Sequence, residues 1–212
     1  MKLLLFITGH RQLIEYHYFH LFLKQLELNS MCDVFIYCNN SEIDKDLLTY
    51  YQEFNAPKQL FVTTLNSGHR TGGVEAVSEA YDMGIFKEYD YVIHLHPDVF
   101  IIDDAPLKEI MIQNLTNDTV FFITHSVPNE QFFSFDFFIF KPKLLPTNIF
   151  KGSFEECPEI HFHNIIKKHD IKYTIVPRYH DNLFFPRRLD LLKLYHEHDL
   201  DKVANLLKEK GL

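Results

Sequence analysis

Cysteine is scarce in this sequence, tryptophan is absent and no long apolar run occurs. The three cysteines, Cys32, Cys38 and Cys157, are widely spaced and form no Cys-x-x-Cys pair, which argues against a disulfide framework and favours a reducing compartment. The longest early apolar run, Leu3 to Thr8, is shorter than a signal-peptide core and far shorter than the roughly 20 residues of a membrane helix. We therefore expect no membrane span and a protein that stays where it is made, in the cytoplasm.

An excess of positive charge is also missing. The net charge is −8 at pH 7, from 21 Lys and Arg residues against 29 Asp and Glu residues. Proteins that bind the phosphate backbone do so through Lys and Arg that displace counterions, so we expect no nucleic-acid partner. The composition is otherwise that of an ordinary globular protein, and 212 residues predict a single domain with one sizeable core.

Short runs of β-branched and aromatic residues alternate along the chain with stretches of helical period. This alternation predicts an α/β protein with a mostly parallel sheet covered by helices. The tail 189–212 is predicted to form two amphipathic helical pieces that break around Asp199. Strands are predicted at residues 2–8, 33–38, 59–65, 89–96, 120–124, 133–140 and 171–176, and the other helices at 12–28, 41–54, 73–84 and 158–168.

Arginine is rare, and its positions are informative. Ligands of open α/β sheets bind beyond the carboxyl ends of the strands, and all five arginines lie in predicted loops after a strand, whereas the lysines are scattered. Because the planar guanidinium grips phosphate or carboxylate with two hydrogen bonds, this distribution indicates an anionic ligand at that edge. Arginine is also common in polar loops without any such role. The five residues are Arg11, Arg70, Arg178, Arg187 and Arg188.

A cluster of polar side chains, His94-Leu95-His96-Pro97-Asp98, ends the predicted fourth strand. Residues two apart on a strand share a face, so His94, His96 and Asp98 can point the same way, and imidazole with carboxylate is a ligand set for a divalent metal. A histidine deep in a strand is more often packed and hydrogen-bonded, which is the interpretation that we favour for His94. Asp98, which follows an apolar strand beside a proline, is the strongest single candidate for a functional residue.

A glycine-containing loop at residues 66–73, Asn-Ser-Gly-His-Arg-Thr-Gly-Gly, leads into a predicted helix. Free backbone N–H groups and the helix dipole make such an N-terminus an anion site. The loop is not a P-loop, because the Lys-Ser/Thr ending is missing, and it lacks the GxGxxG spacing of dinucleotide-binding proteins. The glycines can also serve only to form a tight turn.

The segment 66–104 resembles the donor-binding core of the GT-A glycosyltransferases, which use nucleotide-sugar donors. The family pattern is a loop with glycine and a basic residue, a helix with small residues that ends near a glycine, and an apolar strand that closes in an Asp-any-Asp metal motif. His96 stands where the family usually has its first aspartate, which contacts the ribose or the metal. The matching residues of this chain are Gly68-His69-Arg70, Ala76, Ala80, Gly84, Tyr89-Asp90-Tyr91-Val92-Ile93 and His96-Pro97-Asp98.

The resemblance implies a single GT-A-like α/β domain, with helices on both faces of a mostly parallel sheet and a helical C-terminal tail. Residues 1–104 would form the nucleotide-binding part of a domain 1–188, residues 105–188 the acceptor part, and the tail 189–212 would pack on the same domain. It further implies transfer of a sugar from a nucleotide-sugar donor, a UDP-sugar, to a hydroxyl group of a glycan or glycoprotein acceptor. Small viral and bacterial members are similar in size, so the cytoplasm would be that of a bacterium or of a virus-infected host.

The same resemblance assigns roles to individual residues. A divalent ion, Mn²⁺ or Mg²⁺, would be held by Asp98 with His96 or His180, and an imidazole ligand favours Mn²⁺. Asp136 would lie near the anomeric carbon, and Asp136, Glu156 and Glu159 are the candidates for the carboxylate that activates the acceptor hydroxyl. The residues implied to bind the nucleotide sugar are Thr8, Gly9, His10, Arg11, Arg70, Gly72, Gly73, His96, Arg187 and Arg188.

Two other functions remain open. His94-x-His96-x-Asp98 resembles the His-x-His-x-Asp-His motif of binuclear metallohydrolases, although Val99 replaces the histidine expected next. The second alternative is a module that binds a nucleotide or a sugar without turnover.

Overall fold

The computed structural model describes residues 1–9, 13–38, 49, 58–62, 68–125, 132–146, 149–150, 157–176 and 192–212. Within these ranges the chain forms nine strands and six α-helices. The strands are β1 Leu3–Gly9, β2 Cys32–Cys38, β3 Lys58–Val62, β4 Tyr91–Leu95, β5 Val99–Ile101, β6 Phe121–His125, β7 Phe133–Phe140, β8 Tyr173–Ile175 and β9 Leu194–His196. The helices are α1 Leu13–Leu23, α2 Leu28–Met31, α3 Gly68–Asp82, α4 Ala105–Gln113, α5 Pro158–Lys168 and α6 Leu200–Lys210.

Seven of these strands form one sheet in the order β3-β2-β1-β4-β7-β6-β8. β1 pairs in parallel with β2 and β4, while β7 runs antiparallel to its neighbours β4 and β6. A sheet that is buried on both faces needs strands that are apolar throughout, and β1, β4 and β7 are almost wholly apolar and buried. The predicted α/β class and mostly parallel sheet are confirmed.

Helices cover both faces of this sheet. On one face, Leu5 and Ile7 of β1 pack with residues of α1, α4 and α6, and we call it the α1 face. On the other, Leu4 and Phe6 pack with residues of α3 and α5, and we call it the α3 face. Consecutive β1 residues alternate between the two cores because side chains of a strand point to opposite faces with a period of two.

The directions of the elements bring several chain segments to one edge of the sheet, which we call the carboxyl edge. The parallel strands β1 and β4 end there. β7 starts there, because it runs antiparallel to β4. Helix α5 also starts there, because it precedes β8, which is parallel to β6. Ligands of open α/β sheets bind at this kind of edge.

Strand β7 is irregular where it reaches the carboxyl edge. Its register with β6 shifts between Phe133 and Phe138. Phe135 and Phe138 are three residues apart and belong in a regular strand to opposite faces, yet both lie in the core of the α3 face. Bulges of this kind re-aim side chains next to functional sites, and the irregular stretch contains Asp136.

The C-terminal segment returns to the carboxyl edge as well. β9 pairs antiparallel with β5, and Val99 faces His196. In α6, Val203 and Leu207 lie in the core of the α1 face. The predicted helical tail is confirmed for α6, whereas the first of its two predicted pieces contains the strand Leu194–His196, whose backbone pairs with β5.

Other boundaries also differ from the predicted ones. The helix predicted at 12–28 ends at Leu23, and α2 restarts at Leu28, whose backbone N–H donates to the buried carboxylate of Asp104 at 2.8 Å. Helix α3 begins at Gly68, five residues before its predicted start. β5 and α4 are not among the predicted elements, although a proline in the first turn of α4 is a typical start signal. The helix predicted at 41–54 lies outside the described residues, except for residue 49.

Candidate functional site

The ends of β1 and β4 approach each other closely at the carboxyl edge. A Cβ atom added to Gly9, the last residue of β1, would lie 2.9 Å from Cδ of Pro97 and 3.3 Å from the Tyr16 hydroxyl oxygen. That hydroxyl donates a hydrogen bond to the Gly9 carbonyl oxygen at 3.0 Å. Only glycine fits between these groups, so Gly9 sets the spacing between the two strand ends, and Asp98 follows directly after Pro97.

Asp98 is a buried carboxylate with histidines on one side. Its residue exposure is 1%. Oδ2 lies 2.8 Å from Nδ1 of His198 and 3.5 Å from Nε2 of His196. The backbone of Glu197, between these histidines, donates to the Asp98 carbonyl oxygen at 3.3 Å. The end of β9 therefore lies against the turn after β4, and the tail supplies two imidazoles to the carboxylate that the sequence analysis favoured most.

These three side chains fit a divalent metal ion. One ligand atom from each of Asp98, His196 and His198 lies within 4.8 Å of the other two. Two ligands bound at about 2.0–2.2 Å to one ion are at most roughly 4.4 Å apart, so a small closure of the set would suffice. A set of two imidazoles and one carboxylate suits Mn²⁺, Fe²⁺, Co²⁺ or Zn²⁺ better than Mg²⁺. His198 is half exposed, which leaves the set open to solvent.

His196 and His198 are not among the site residues predicted from the sequence. They lie in a segment that was expected to be helical, where residues two apart point in different directions, whereas on a strand they share a side. The signal was present, because His196-Glu197-His198 repeats the spacing of His94-Leu95-His96. It becomes interpretable only when Leu194–His196 is known to be a strand.

Asp136 connects this group to the end of β4. Its Oδ2 lies 3.5 Å from Nδ1 of His196, and its Oδ1 lies 3.5 Å from Nδ1 of His96. The backbone N–H of His96 donates to the Asp136 carbonyl oxygen at 3.0 Å, which ties the β7 bulge to β4. The structure thus brings three predicted site residues, His96, Asp98 and Asp136, into one network, with His196 between the two carboxylates.

His96 is not a member of the three-residue metal group. Its second nitrogen, Nε2, faces helix α3, where a Cβ added to Gly73 would lie 3.6 Å from it and 2.9 Å from Cε1 of Phe135. Gly72 and Gly73 lie in the first turns of α3, not in a loop before it. Gly73 therefore permits the start of α3 to approach the carboxyl edge closely, next to His96.

His94 is a packed residue, as the sequence analysis favoured. It is fully buried, its Nε2 is 2.9 Å from Oγ1 of Thr8, and its ring stacks on Phe138 at 4.4 Å between centroids. Burial first, and the neighbouring His96 second, lower the pKa of His94 well below 6.5, so its ring is neutral. His94 packs among aromatic rings and not with Asp98, His196 and His198. The described residues therefore do not support the hypothesis of a binuclear metallohydrolase. Thr8 is itself 1% exposed, with its hydroxyl engaged by His94.

Glu159 lies in the first turn of α5, which starts at the carboxyl edge. Its carboxylate accepts a hydrogen bond from the Cys157 thiol at 2.8 Å. Burial and this carboxylate raise the pKa of the Cys157 thiol, so the sulfur stays protonated and donates. Cys157, the N-cap residue of α5, thus holds the Glu159 carboxylate in place at the start of the helix.

Several predicted site residues lie outside the described part of the chain. For Arg70 the structure describes only its backbone position in α3, and the roles predicted for all these residues stay predictions. The others are His10, Arg11, Glu156, Arg178, His180, Arg187 and Arg188.

None of the described helices has the length and apolarity to cross a membrane.

Solved structures share this fold at low sequence identity. Mouse xyloside xylosyltransferase 1, in its apo form, matches with a TM-score of 0.58 and 12% identity over 94% of this chain and 98% of that chain. A mannosyltransferase from Pyrobaculum calidifontis, in complex with GDP-Man and Mn²⁺, matches with a TM-score of 0.58 and 10% identity over 83% of this chain and 55% of that chain. A cytidylyltransferase from Leptospira borgpetersenii matches with a TM-score of 0.55 and 14% identity over 99% of this chain and 94% of that chain.

No protein-family model matches the sequence, and no curated protein sequence matches it. Identities between 10% and 14% show a common fold and not a common activity. The chain has a GT-A-like α/β fold, which it shares with nucleotide-sugar transferases.

Proposed function

We propose that this protein is a glycosyltransferase that moves a sugar from a nucleotide-sugar donor, a UDP-sugar, to a hydroxyl group of a glycan or glycoprotein acceptor. The observation that carries the proposal is the Asp98, His196 and His198 group at the carboxyl edge of a GT-A-like sheet. Fold likeness alone does not assign an activity. A buried carboxylate with two imidazoles, at the edge where such folds bind ligands, adds a site of suitable chemistry.

The proposed reaction places negative charge on the leaving nucleoside diphosphate as the bond to the sugar breaks. A divalent ion held by Asp98, His196 and His198 would supply Lewis-acid stabilisation of that charge. Of the two ions that the resemblance implies, Mn²⁺ and Mg²⁺, we propose Mn²⁺, because it accepts imidazole ligands more readily than Mg²⁺ does. The predicted arginines Arg11, Arg70, Arg187 and Arg188 would add fixed positive charge around the diphosphate.

The acceptor hydroxyl must lose a proton when it attacks the sugar, so a carboxylate must lie within hydrogen-bond reach of it. Glu159 lies at the start of α5, at the carboxyl edge, and Glu156 precedes it by three residues. We assign the base to one of these two. Asp136 is less suited to that task, because each of its oxygens already faces a histidine nitrogen.

Titration calorimetry of UDP, GDP and CMP, each with and without Mn²⁺, tests the proposal. We expect UDP to bind tightly only when Mn²⁺ is present, and the Asp98→Ala variant to lose this binding. Asp118→Ala is the matched control, since Asp118 is exposed and precedes β6 at the opposite edge of the sheet. If none of the three nucleotides binds, with or without the ion, the glycosyltransferase proposal is wrong.

Nucleotidyl transfer is the second candidate function, because the Leptospira cytidylyltransferase covers nearly the whole chain with a similar TM-score. Adding CTP to the same titration series, with an assay for pyrophosphate, distinguishes the two functions. Binding of CTP without binding of UDP, together with release of pyrophosphate in the presence of a sugar phosphate, would favour nucleotidyl transfer.

A further inference from the structure

We infer that Asp136 is a positioning residue. Its carboxylate fixes the ring of His196 so that Nε2 of His196 faces Asp98 and would be the nitrogen that binds the divalent ion. This inference rests on the proposed metal-assisted function and deepens it. It replaces the predicted role of Asp136, next to the anomeric carbon, by a role that acts through a histidine.

The placement of His196 between two carboxylates carries the inference. Its Nε2 lies 3.5 Å from Oδ2 of Asp98, and its Nδ1 lies 3.5 Å from Oδ2 of Asp136. The two nitrogens flank Cε1 and point in diverging directions, so the ring lies between Asp98 and Asp136 and faces one with each nitrogen. With 3% exposure, His196 has little freedom to turn elsewhere.

The protonation of a ligating histidine explains why a carboxylate is needed there. A neutral imidazole that binds a metal through Nε2 carries its proton on Nδ1. Metal-binding histidines usually donate that N–H to a carboxylate or carbonyl oxygen, which fixes the ring and raises the basicity of the ligating nitrogen. Asp136 lies on the Nδ1 side of His196 and supplies that acceptor.

Asp136 is itself held in place for this task. Its carbonyl oxygen accepts a hydrogen bond from the His96 backbone at 3.0 Å, and its second carboxylate oxygen faces the His96 ring at 3.5 Å. The irregular stretch of β7 between Phe135 and Phe138 sets its direction. The bulge thus aims the Asp136 carboxylate at the Nδ1 side of the His196 ring.

The test measures metal affinity without nucleotide or sugar. Metal-free protein is titrated with Mn²⁺, and free Mn²⁺ is followed by its electron paramagnetic resonance signal. We expect the Asp136→Asn variant to bind Mn²⁺ about 10- to 100-fold more weakly than the unchanged protein. We expect the exposed, chemically matched Asp118→Asn control to bind as the unchanged protein does.

A second measurement needs no variant. In the Zn²⁺-loaded protein, nitrogen-15 correlation spectra of the histidine rings should show His196 with its proton on Nδ1 and the metal on Nε2. A proton on Nε2 and the metal on Nδ1 would overturn the inference. This result does not depend on whether the Asp136→Asn variant folds.

The outcomes also separate this inference from the proposed function. If Asp136→Asn binds Mn²⁺ as well as the unchanged protein does, Asp136 does not position His196, and the metal-assisted function stands. If saturating Mn²⁺ restores sugar transfer to Asp136→Asn, a positioning role is supported, whereas a residue that attacks the sugar would leave transfer abolished at any Mn²⁺ concentration. If the unchanged protein binds no Mn²⁺, the metal part of the proposed function is wrong and the inference is wrong with it.

Discussion

His94 shows how much the surroundings decide about a single residue. It has a titratable ring, but its contacts are Thr8, Phe138 and other aromatic side chains, and it has no exposed surface. Burial therefore holds it neutral, with its pKa lowered well below 6.5. In the unfolded chain the same ring takes up a proton near pH 6.5.

This difference predicts a specific pH dependence of stability. As the pH falls below about 6.5, the unfolded chain binds a proton at residue 94 that the folded protein does not, so the free energy of unfolding decreases. The decrease continues until the pH reaches the lowered pKa of the folded state. The contribution of this one group is at most about 1.4 kcal/mol per pH unit.

The contribution of His94 is measured by urea unfolding at pH 7.5, 6.5 and 5.5, on the unchanged protein and on His94→Phe. The variant keeps an aromatic ring on Phe138 and loses the titration, so its stability should fall less steeply between pH 6.5 and 5.5. Equal slopes for the two proteins would show that His94 takes up its proton without unfolding.

At the scale of single residues, the sequence pointed to one member of the candidate metal group and not to the other two, for a physical reason. Asp98 stood out because a charge directly after an apolar strand has few structural uses, and it is the carboxylate of that candidate group. Its partners His196 and His198 are about 100 residues away along the chain. Local patterns do not show which distant segments of the chain meet. The only local signal for the two histidines is their spacing of two residues, which places both on one side of a strand.

Among the elements, helix α3 packs against the sheet more closely than any side chain at position 73 permits. A Cβ at Gly73 would lie 2.9 Å from the Phe135 ring. That ring is itself packed against Phe138, Phe162 and His94, with centroids between 5.2 and 5.5 Å away, so it has little room to move aside.

Gly73→Ala should therefore destabilise the protein, by about 1–3 kcal/mol, as overpacked core substitutions do. The sign of this change in the free energy of unfolding is informative, because a Gly→Ala substitution inside a helix otherwise stabilises a protein by up to about 1 kcal/mol. Urea unfolding measures the change, with Ser78→Ala in the same helix as the control, for which we expect only a small stabilisation. A more stable Gly73→Ala protein would mean that α3 and the Phe135 ring separate easily.

Strands and helices with a strong local pattern were predictable from the sequence. The helix over 158–168 and the strand over 133–140 have the predicted bounds, since an N-terminal proline and a run of aromatic residues are strong local signals. β5 and β9 were not predicted, because each is only three residues long and becomes a strand only by pairing with the other. The bulge of β7 also depends on its neighbours β4 and β6.

At the scale of the whole molecule, the candidate metal group connects distant parts of the chain. Asp98 follows β4, while His196 and His198 belong to the C-terminal segment that α6 anchors to the α1 face. An ion that binds all three ligands binds only the folded chain and shifts the unfolding equilibrium towards it.

We therefore expect Mn²⁺ to raise the thermal unfolding midpoint. At a free concentration 100 times its Kd, the ion contributes about 2.7 kcal/mol, which corresponds to roughly 5–10 °C for a domain of this size. Differential scanning calorimetry with Mn²⁺ or with chelator measures the shift, and His196→Ala should abolish it. An equal shift in His196→Ala would place the ion elsewhere in the molecule.

The sequence by itself determined the α/β class, the parallel core strands and the carboxylate at the end of β4. These depend on hydrophobic periodicity and on charge beside an apolar run, which are local properties. The tertiary structure alone decided which histidines meet Asp98, because antiparallel pairing of β9 with β5 brings the tail to the carboxyl edge. It also decided the direction of Asp136, because a bulge is set by the register of two neighbouring strands and not by the residues within it.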